Sequence, residues 1–145
     1  MRILVDADAC PVKQIIVRLA KEFAIPVLMF IDTSHVLDDG YSEIITVDKA
    51  RDSVDIALVN RILPGDIVVT QDYGVAAMAV PKRSKALNQN GLIYSDDNLD
   101  RLLFERHISQ KLRRSGGRTK GPGKRTKQED ESFEKALRSL IEQNN

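Results

Sequence analysis

Apolar residues recur along the chain in short runs separated by helical stretches, and that alternation sets the first expectations. Ile3-Leu4-Val5 ends abruptly in Asp6-Ala7-Asp8, as a buried strand does when polar residues stop it. Pro11 stands where the first turn of a helix accepts it, because its missing N–H would have no partner there. Ile15, Ile16, Leu19, Ala20 and Phe23 follow at helical spacing. Residues 26–31 read as a second buried strand, 32–41 as a polar, turn-rich stretch, and 43–47 as a third strand. Asp52 is placed to cap a helix whose apolar face is Val54, Ala57, Leu58 and Ile62, with Pro64-Gly65 ending it. Residues 66–70 predict a fourth strand, and 74–80 a short Ala-rich helix ended by Pro81. Residues 91–94 read as a last short strand, leading through Ser95-Asp96-Asp97 into a helix that reaches about Leu112.

Strands alternating with helices predict an α/β fold: a three-layer sandwich on a mostly parallel sheet of about five strands. Residues 116–126 contain no apolar side chain and predict a flexible arm. Phe133, Ala136, Leu137, Leu140 and Ile141 then predict a terminal amphipathic helix, docked on the body or offered to a partner. The expected organisation is an α/β domain over 1–112, a basic arm over 113–128 and a helix over 129–145. No internal repeat is present. A chain of 145 residues fits one domain and buries roughly two thirds of its unfolded surface, so it needs no staple to fold.

Composition narrows the class. Hydrophobic content of 42% and charged content of 30% are those of a soluble globular protein. No apolar run approaches the ~18–20 residues of a membrane span, and a strand directly after Arg2 argues against a signal peptide. The single Cys10 excludes an internal disulfide framework and a Cys-rich zinc site, so a cytoplasmic protein is expected. The net charge of +1 conceals a sharp division. Residues 1–110 carry a charge of −4, residues 111–127 carry +8 with no acid among them, and residues 128–145 carry −3. An acidic body is followed by a concentrated basic segment.

The acids of the body gather where chemistry is expected. Open parallel sheets place their sites beyond the carboxyl ends of the strands. Asp6 and Asp8 follow the first expected strand, Asp72 the fourth, and Asp96 and Asp97 the last. Asp52 and Asp55 fall on the first turn of the second helix. In extended backbone, residues 6 and 8 would project to one face. Carboxylates a few Å apart repel unless a cation joins them. A Mg²⁺ or Mn²⁺ ion solves that problem with oxygen ligands and phosphate oxygens, and it suits phosphodiester hydrolysis. Each acid also has a plainer role. Asp6 can end a strand, Asp8 can cap the first helix, Asp52 with Asp55 has capping spacing, and Asp96 and Asp97 can cap theirs. The coincidence at three strand ends favours the joint site, with Asp72 its firmest member.

Other motifs fail. No Gly-x-Gly-x-x-Gly occurs, and the glycines of residues 116–124 lack Walker spacing. His35 and His107 stand apart from any metal-ligand pattern and are expected at the surface. Cys10 lies beside a helix start that could lower its pKa, but with no matching base it reads as a packed residue lining the site. Lys111, Arg113, Arg114, Arg118, Lys120, Lys124, Arg125 and Lys127 sit among Gly, Ser, Thr and Pro. Such a segment attracts phosphate backbones by counterion release, and Arg-rich arms often order on RNA; a solvated basic tail is the plainer reading. Folded back over the cleft, it would hold an anionic substrate.

Val5-Asp6-Ala7-Asp8-Ala9-Cys10-Pro11, Thr70-Gln71-Asp72-Tyr73-Gly74 and Gly116-Gly117-Arg118-Thr119-Lys120-Gly121-Pro122 together resemble the YaiI/YqxD family of uncharacterised bacterial proteins, over nearly the whole length. That family is placed near the PIN and NYN nucleases. The resemblance implies a PIN-like sheet holding one or two Mg²⁺ or Mn²⁺ ions. In that comparison Asp6 matches the acid after the first strand, Asp55 the helical acid and Asp72 the acid after the fourth strand. Asp96 or Asp97 matches the last acid, and Asp8 resembles the extra acid of an Asp-x-Asp form. The Gly-Gly-Arg-Thr-Lys-Gly-Pro segment belongs to the YaiI/YqxD pattern and not to typical PIN domains.

Three functions follow as expectations. The first is a metal-dependent nuclease acting on RNA, with Asp6, Asp8, Asp55 and Asp72 catalytic. Its metal would be held by Asp6, Asp8, Asp72 and Asp96 or Asp97, and Arg113, Arg114, Arg118, Lys120, Lys124 and Arg125 would lie on the nucleic acid. The second is a non-catalytic RNA-binding or ribosome-associated module. The third is a haloacid-dehalogenase-like phosphatase using Asp6 as nucleophile and Asp8 as acid/base, disfavoured because Pro11 leaves little room for a lid. A homo-oligomer is compatible with the sequence.

Overall fold

The computed structural model describes residues 1–116 and 123–144. Five parallel strands form one sheet: β1 (Ile3–Asp6), β2 (Val27–Asp32), β3 (Glu43–Val47), β4 (Ile67–Val69) and β5 (Lys85–Leu87). Their order is β3-β2-β1-β4-β5, so β1, β2 and β4 are interior and carry unbroken apolar runs.

Alternate residues of these strands serve two cores. Ile3, Val5, Val27, Met29, Ile31, Ile67 and Val69 face α1 (Lys13–Phe23) and α5 (Lys127–Gln143). Leu4, Leu28, Phe30 and Val68 face α2 (Ser53–Arg61), α3 (Tyr73–Ala79) and α4 (Asp96–Arg114). The result is helix, sheet and helix in three layers, as expected. Among the described residues no helix is long and apolar enough to cross a membrane.

The terminal helix is docked on the body. Phe133, Leu137, Leu140 and Ile141 are buried beside Ile16 and Leu19 of α1. Thr126 and Glu129 close a reciprocal capping box at its start. Surface pairs Arg18–Glu134 and Arg138–Glu22 also join the two helices, but exposed pairs contribute little beside that apolar contact.

Several local expectations are corrected. The fifth strand is Lys85–Leu87, and residues 91–94 contribute only one antiparallel bridge, Ile93 to Leu87. Gly91, at φ +86°, passes so close to α5 that a Cβ would meet the Ser132 carbonyl oxygen at 2.6 Å. Contact with α5 fixes Gly91, while the Leu92 carbonyl accepts from the Asn88 N–H and the Tyr94 N–H donates to the Ala86 carbonyl. Helix α1 starts at Lys13, with Pro11 in the preceding turn, and neither Asp8 nor any other side chain caps it. Asp52 stands at the start of α2 with φ +62° and makes no capping bond. Ser95, not Asp96 or Asp97, caps α4 in a capping box with Asn98.

Candidate functional site

The strand order reverses between β1 and β4, and in open parallel sheets the crevice beyond the carboxyl ends at that reversal is where ligands bind. Asp6 is the last residue of β1, and Thr70-Gln71-Asp72 follows β4. Buried Thr70 ties the two together. Its hydroxyl donates to Asp6 Oδ2 at 3.1 Å and accepts from the Asp72 backbone N–H at 3.0 Å. The Tyr94 hydroxyl donates to the Thr70 carbonyl at 3.1 Å, bracing the loop from behind. Asp72 caps α3: Oδ1 accepts from the N–H groups of Gly74 (2.7 Å) and Val75 (3.4 Å), which fixes where the carboxylate stands.

Asp8 reaches the site by a turn. Extended backbone ends at Asp6; Asp8 and Ala9 form a turn closed by the Cys10 N–H on the Ala7 carbonyl, and Ala9 adopts φ +58°. The i, i+2 argument therefore fails, yet Asp8 still lines the same depression, of about 460 Å³, as Asp6, Gln71, Asp72 and Arg106. A neighbouring depression of about 420 Å³ shares Asp72 and Arg106 and adds Asp55 from the first turn of α2. Asp6, Asp8, Asp55 and Asp72 are thus brought together.

Their electrostatics are those of acids that lack cations. Burial raises the Asp6 carboxyl to about 6 despite the Thr70 hydroxyl, and Asp72 and Asp8 add repulsion. Asp55 is pushed up to about 7, by burial first and then by Asp72 and Asp6. Among the described residues no Lys or Arg makes an ion pair with any of the four. Asp8 Oδ1 is buried and accepts no hydrogen bond. Carboxylate oxygens are the ligands a hard divalent cation takes, although among the described residues no three of these four acids bring donor atoms within 4.8 Å of one another.

Other expected residues lie elsewhere. Asp96 and Asp97 occupy the first turn of α4, and Asp96 lines a separate depression with Val80, Arg83 and Lys85. Cys10 packs in the core, where burial pushes its thiol up, contrary to a lowering by the helix start. Arg113 and Arg114 end α4 exposed, and Lys124 is exposed. Arg125 is committed to structure: its guanidinium donates to Asp130 Oδ1 (2.6 Å), Asn90 Oδ1 (2.8 Å) and the Gln89 carbonyl (2.6 Å). Arg118 and Lys120 lie outside the described residues.

Four participants escaped the sequence reading. Thr70 and Arg106 are two. Asp32, at the end of β2, and His35 are the others. His35 Nδ1 lies 3.0 Å from Asp8 Oδ1, out of line for donation, and 3.2 Å from Asp32 Oδ1. Donor atoms of Asp8, Asp32 and His35 all fall within 4.8 Å of one another, so Asp8 stands between two groups of potential ligands. Asp32 terminates an apolar run as Asp6 does, and that signal was present in the sequence.

Comparison with known proteins gives the family. Residues 4–143 match the model described as "Uncharacterized BCR, YaiI/YqxD family". A "UPF0178 protein" of Ruminiclostridium cellulolyticum is 70% identical over 141 residues, covering 97% of this chain and 92% of the relative. One from Lachnoclostridium phytofermentans is 58% identical over 144 residues, covering 97% of both chains. One from Exiguobacterium sibiricum is 48% identical over 141 residues, covering 97% and 96%. No solved structure matches. The chain belongs to the YaiI/YqxD family.

Proposed function

For this member of the YaiI/YqxD family, we propose a Mg²⁺- or Mn²⁺-dependent nuclease that hydrolyses RNA phosphodiesters at the crevice between β1 and β4. One observation carries the reading. Asp6, Asp8, Asp55 and Asp72 converge at the reversal of strand order, and among the described residues no Lys or Arg forms an ion pair with them. An acidic cluster kept at such a place costs stability, and a divalent cation offsets that cost.

Asp6, Asp8 and Asp72 would hold the ion, which supplies Lewis-acid stabilisation of charge on a phosphoryl group. Thr70 fixes Asp6 and the backbone of Asp72 in register, so both carboxylates keep their positions as the substrate arrives. Asp55, the residue with the most strongly raised carboxyl, orients the attacking water. Arg113, Arg114 and Lys124, with Arg118 and Lys120 of the intervening segment, hold backbone phosphates away from the reacting bond. RNA is favoured because the positive charge is concentrated in one short Gly- and Arg-rich stretch.

The test is cleavage of a single-stranded RNA by the full chain with Mn²⁺ or Mg²⁺. Asp8→Asn and Asp72→Asn are expected to lower the rate about 100-fold or more. Asn still caps a helix, so loss in Asp72→Asn would not reflect a lost fold. A folded wild-type protein that cuts neither RNA nor DNA with any divalent metal would sink the proposal. Salt-dependent RNA binding without cleavage would mark a binding module instead.

A further inference from the structure

Ile56 of α2 and Met78 of α3 are 58% and 54% exposed, although both belong to helices whose other apolar residues turn inward. They are not scattered. Together with Val59 they wall the 420 Å³ depression that adjoins the acidic cleft, and Asn60 adds a side chain with both a donor and an acceptor. Asp72 and Arg106 line this depression and the cleft alike. Arg106 is exposed, and among the described residues it has no ion-pair partner, although carboxylates lie around it.

We infer that this depression is a nucleobase subsite, which receives one unstacked base of a single-stranded nucleic acid while Arg106 holds the adjoining phosphate. The inference rests on the phosphodiester reading of the acidic cleft and adds the part of the substrate beside the reacting bond. Its volume falls in the roughly 300–1,000 Å³ range of small-molecule sites. Apolar walls with a few polar groups are how proteins take bases out of a stack. A base's flat apolar faces fit between Ile56 and Met78, and its polar edge has Asn60 to pair with. A cation at the shared rim neutralises the phosphate that must pass the carboxylates. A paired duplex keeps its bases stacked inside and offers none to such a depression, so the subsite selects single strands.

The test uses the full chain in Mn²⁺ and a fluorescein-labelled octamer of 2′-O-methyl RNA, which resists hydrolysis. One abasic position is moved along the octamer, and affinity is read by anisotropy. With wild type, one position is expected to cost about tenfold in affinity when its base is removed, the worth of one stacked base. The same octamer as a duplex should bind about tenfold more weakly. Ile56→Ser/Met78→Ser should abolish the abasic penalty; the single variants carry the test if the pair loses its melting transition. Arg106→Ala should weaken intact and abasic octamers alike and lower the log–log salt slope by about one. An octamer that does not bind, shows no abasic penalty at any position, or keeps its penalty in the Ile56/Met78 variants overturns the subsite. Base discrimination without cleavage of ordinary RNA would remove the nuclease and leave the subsite. Cleavage without discrimination would do the reverse.

Discussion

At the amino end of the central strands, Asp66 precedes β4 and Arg2 precedes β1. The Arg2 guanidinium meets the buried Asp66 carboxylate through Nε at 3.2 Å and Nη2 at 2.7 Å, and the Leu63 N–H adds a third bond at 2.8 Å. The bond to Asp66 pushes Arg2 up further from its ordinary value. At the carboxyl end of the same two strands, Asp6 and Asp72 meet Asp8 and Asp55, and among the described residues only His35, beside Asp8, stands where it could pair with one of them. One end satisfies a buried acid within the chain. The other leaves acids to repel one another, as binding sites do and structural sites do not. The contrast separates residues that hold the fold from the residues we propose as ligands of a cation.

The largest expected effect is at the paired end. Asp66→Ala leaves the Leu63 N–H without its acceptor and removes the pair with Arg2, which keeps only the Arg61 carbonyl, and should cost about 3 kcal/mol of stability in urea unfolding. A loss under 1 kcal/mol would break the comparison at that end. At the other end Mn²⁺ should act as the missing cation. At a hundredfold excess over its dissociation constant it should add about 2.7 kcal/mol to wild type and nothing to an Asp6→Asn/Asp72→Asn variant. Equal stabilisation of both proteins would place the ion elsewhere, with Asp32 and His35 the first alternative.

A pH series sharpens the contrast without metal. Asp6 and Asp55 keep protons in the folded state to about 6 and about 7, whereas an unfolded Asp releases its proton near 3.9. The folded protein therefore binds more protons across that window. Stability should fall as pH rises from about 4 to about 7 and then level off. Asp55→Asn should flatten the upper part of the curve, read by thermal unfolding; an unchanged curve would contradict the assignment. The smallest effect concerns Thr70→Val, which removes the bond to Asp6 at a cost of about 1 kcal/mol. It should also move the Asp6 titration upward in carboxyl-carbon NMR, because the Thr70 hydroxyl favours the ionised form.

What the sequence revealed follows the same division. Residues 3–5, 27–31 and 67–69 were legible because interior parallel strands are apolar on both faces. The three-layer α/β fold and the existence of a terminal amphipathic helix follow from such local patterns; the pattern leaves open whether that helix docks on the body or on a partner. Lys85–Leu87 was hidden because an edge strand of three residues beginning with Lys has no apolar run, and residues 91–94 looked like a strand because Leu92 and Tyr94 are apolar contributors to the core beneath α3 and α4. In the site, Asp6 and Asp72 were visible as abrupt ends of apolar runs. Asp8 was found by an argument about extended backbone that its turn does not obey. Asp96 and Asp97 were grouped with them through the misplaced strand. Thr70, Arg106 and His35 depend on which loops and helices meet at the crevice, and that juxtaposition is tertiary.

The central claim is that the four clustered carboxylates form a cation site. Anomalous scattering from a crystal of the full chain soaked in Mn²⁺ tests it most directly. The account predicts a Mn²⁺ peak ligated by Asp6, Asp8 and Asp72, lost in Asp72→Asn crystals. Full Mn²⁺ occupancy elsewhere, with these carboxylates bare, would contradict it.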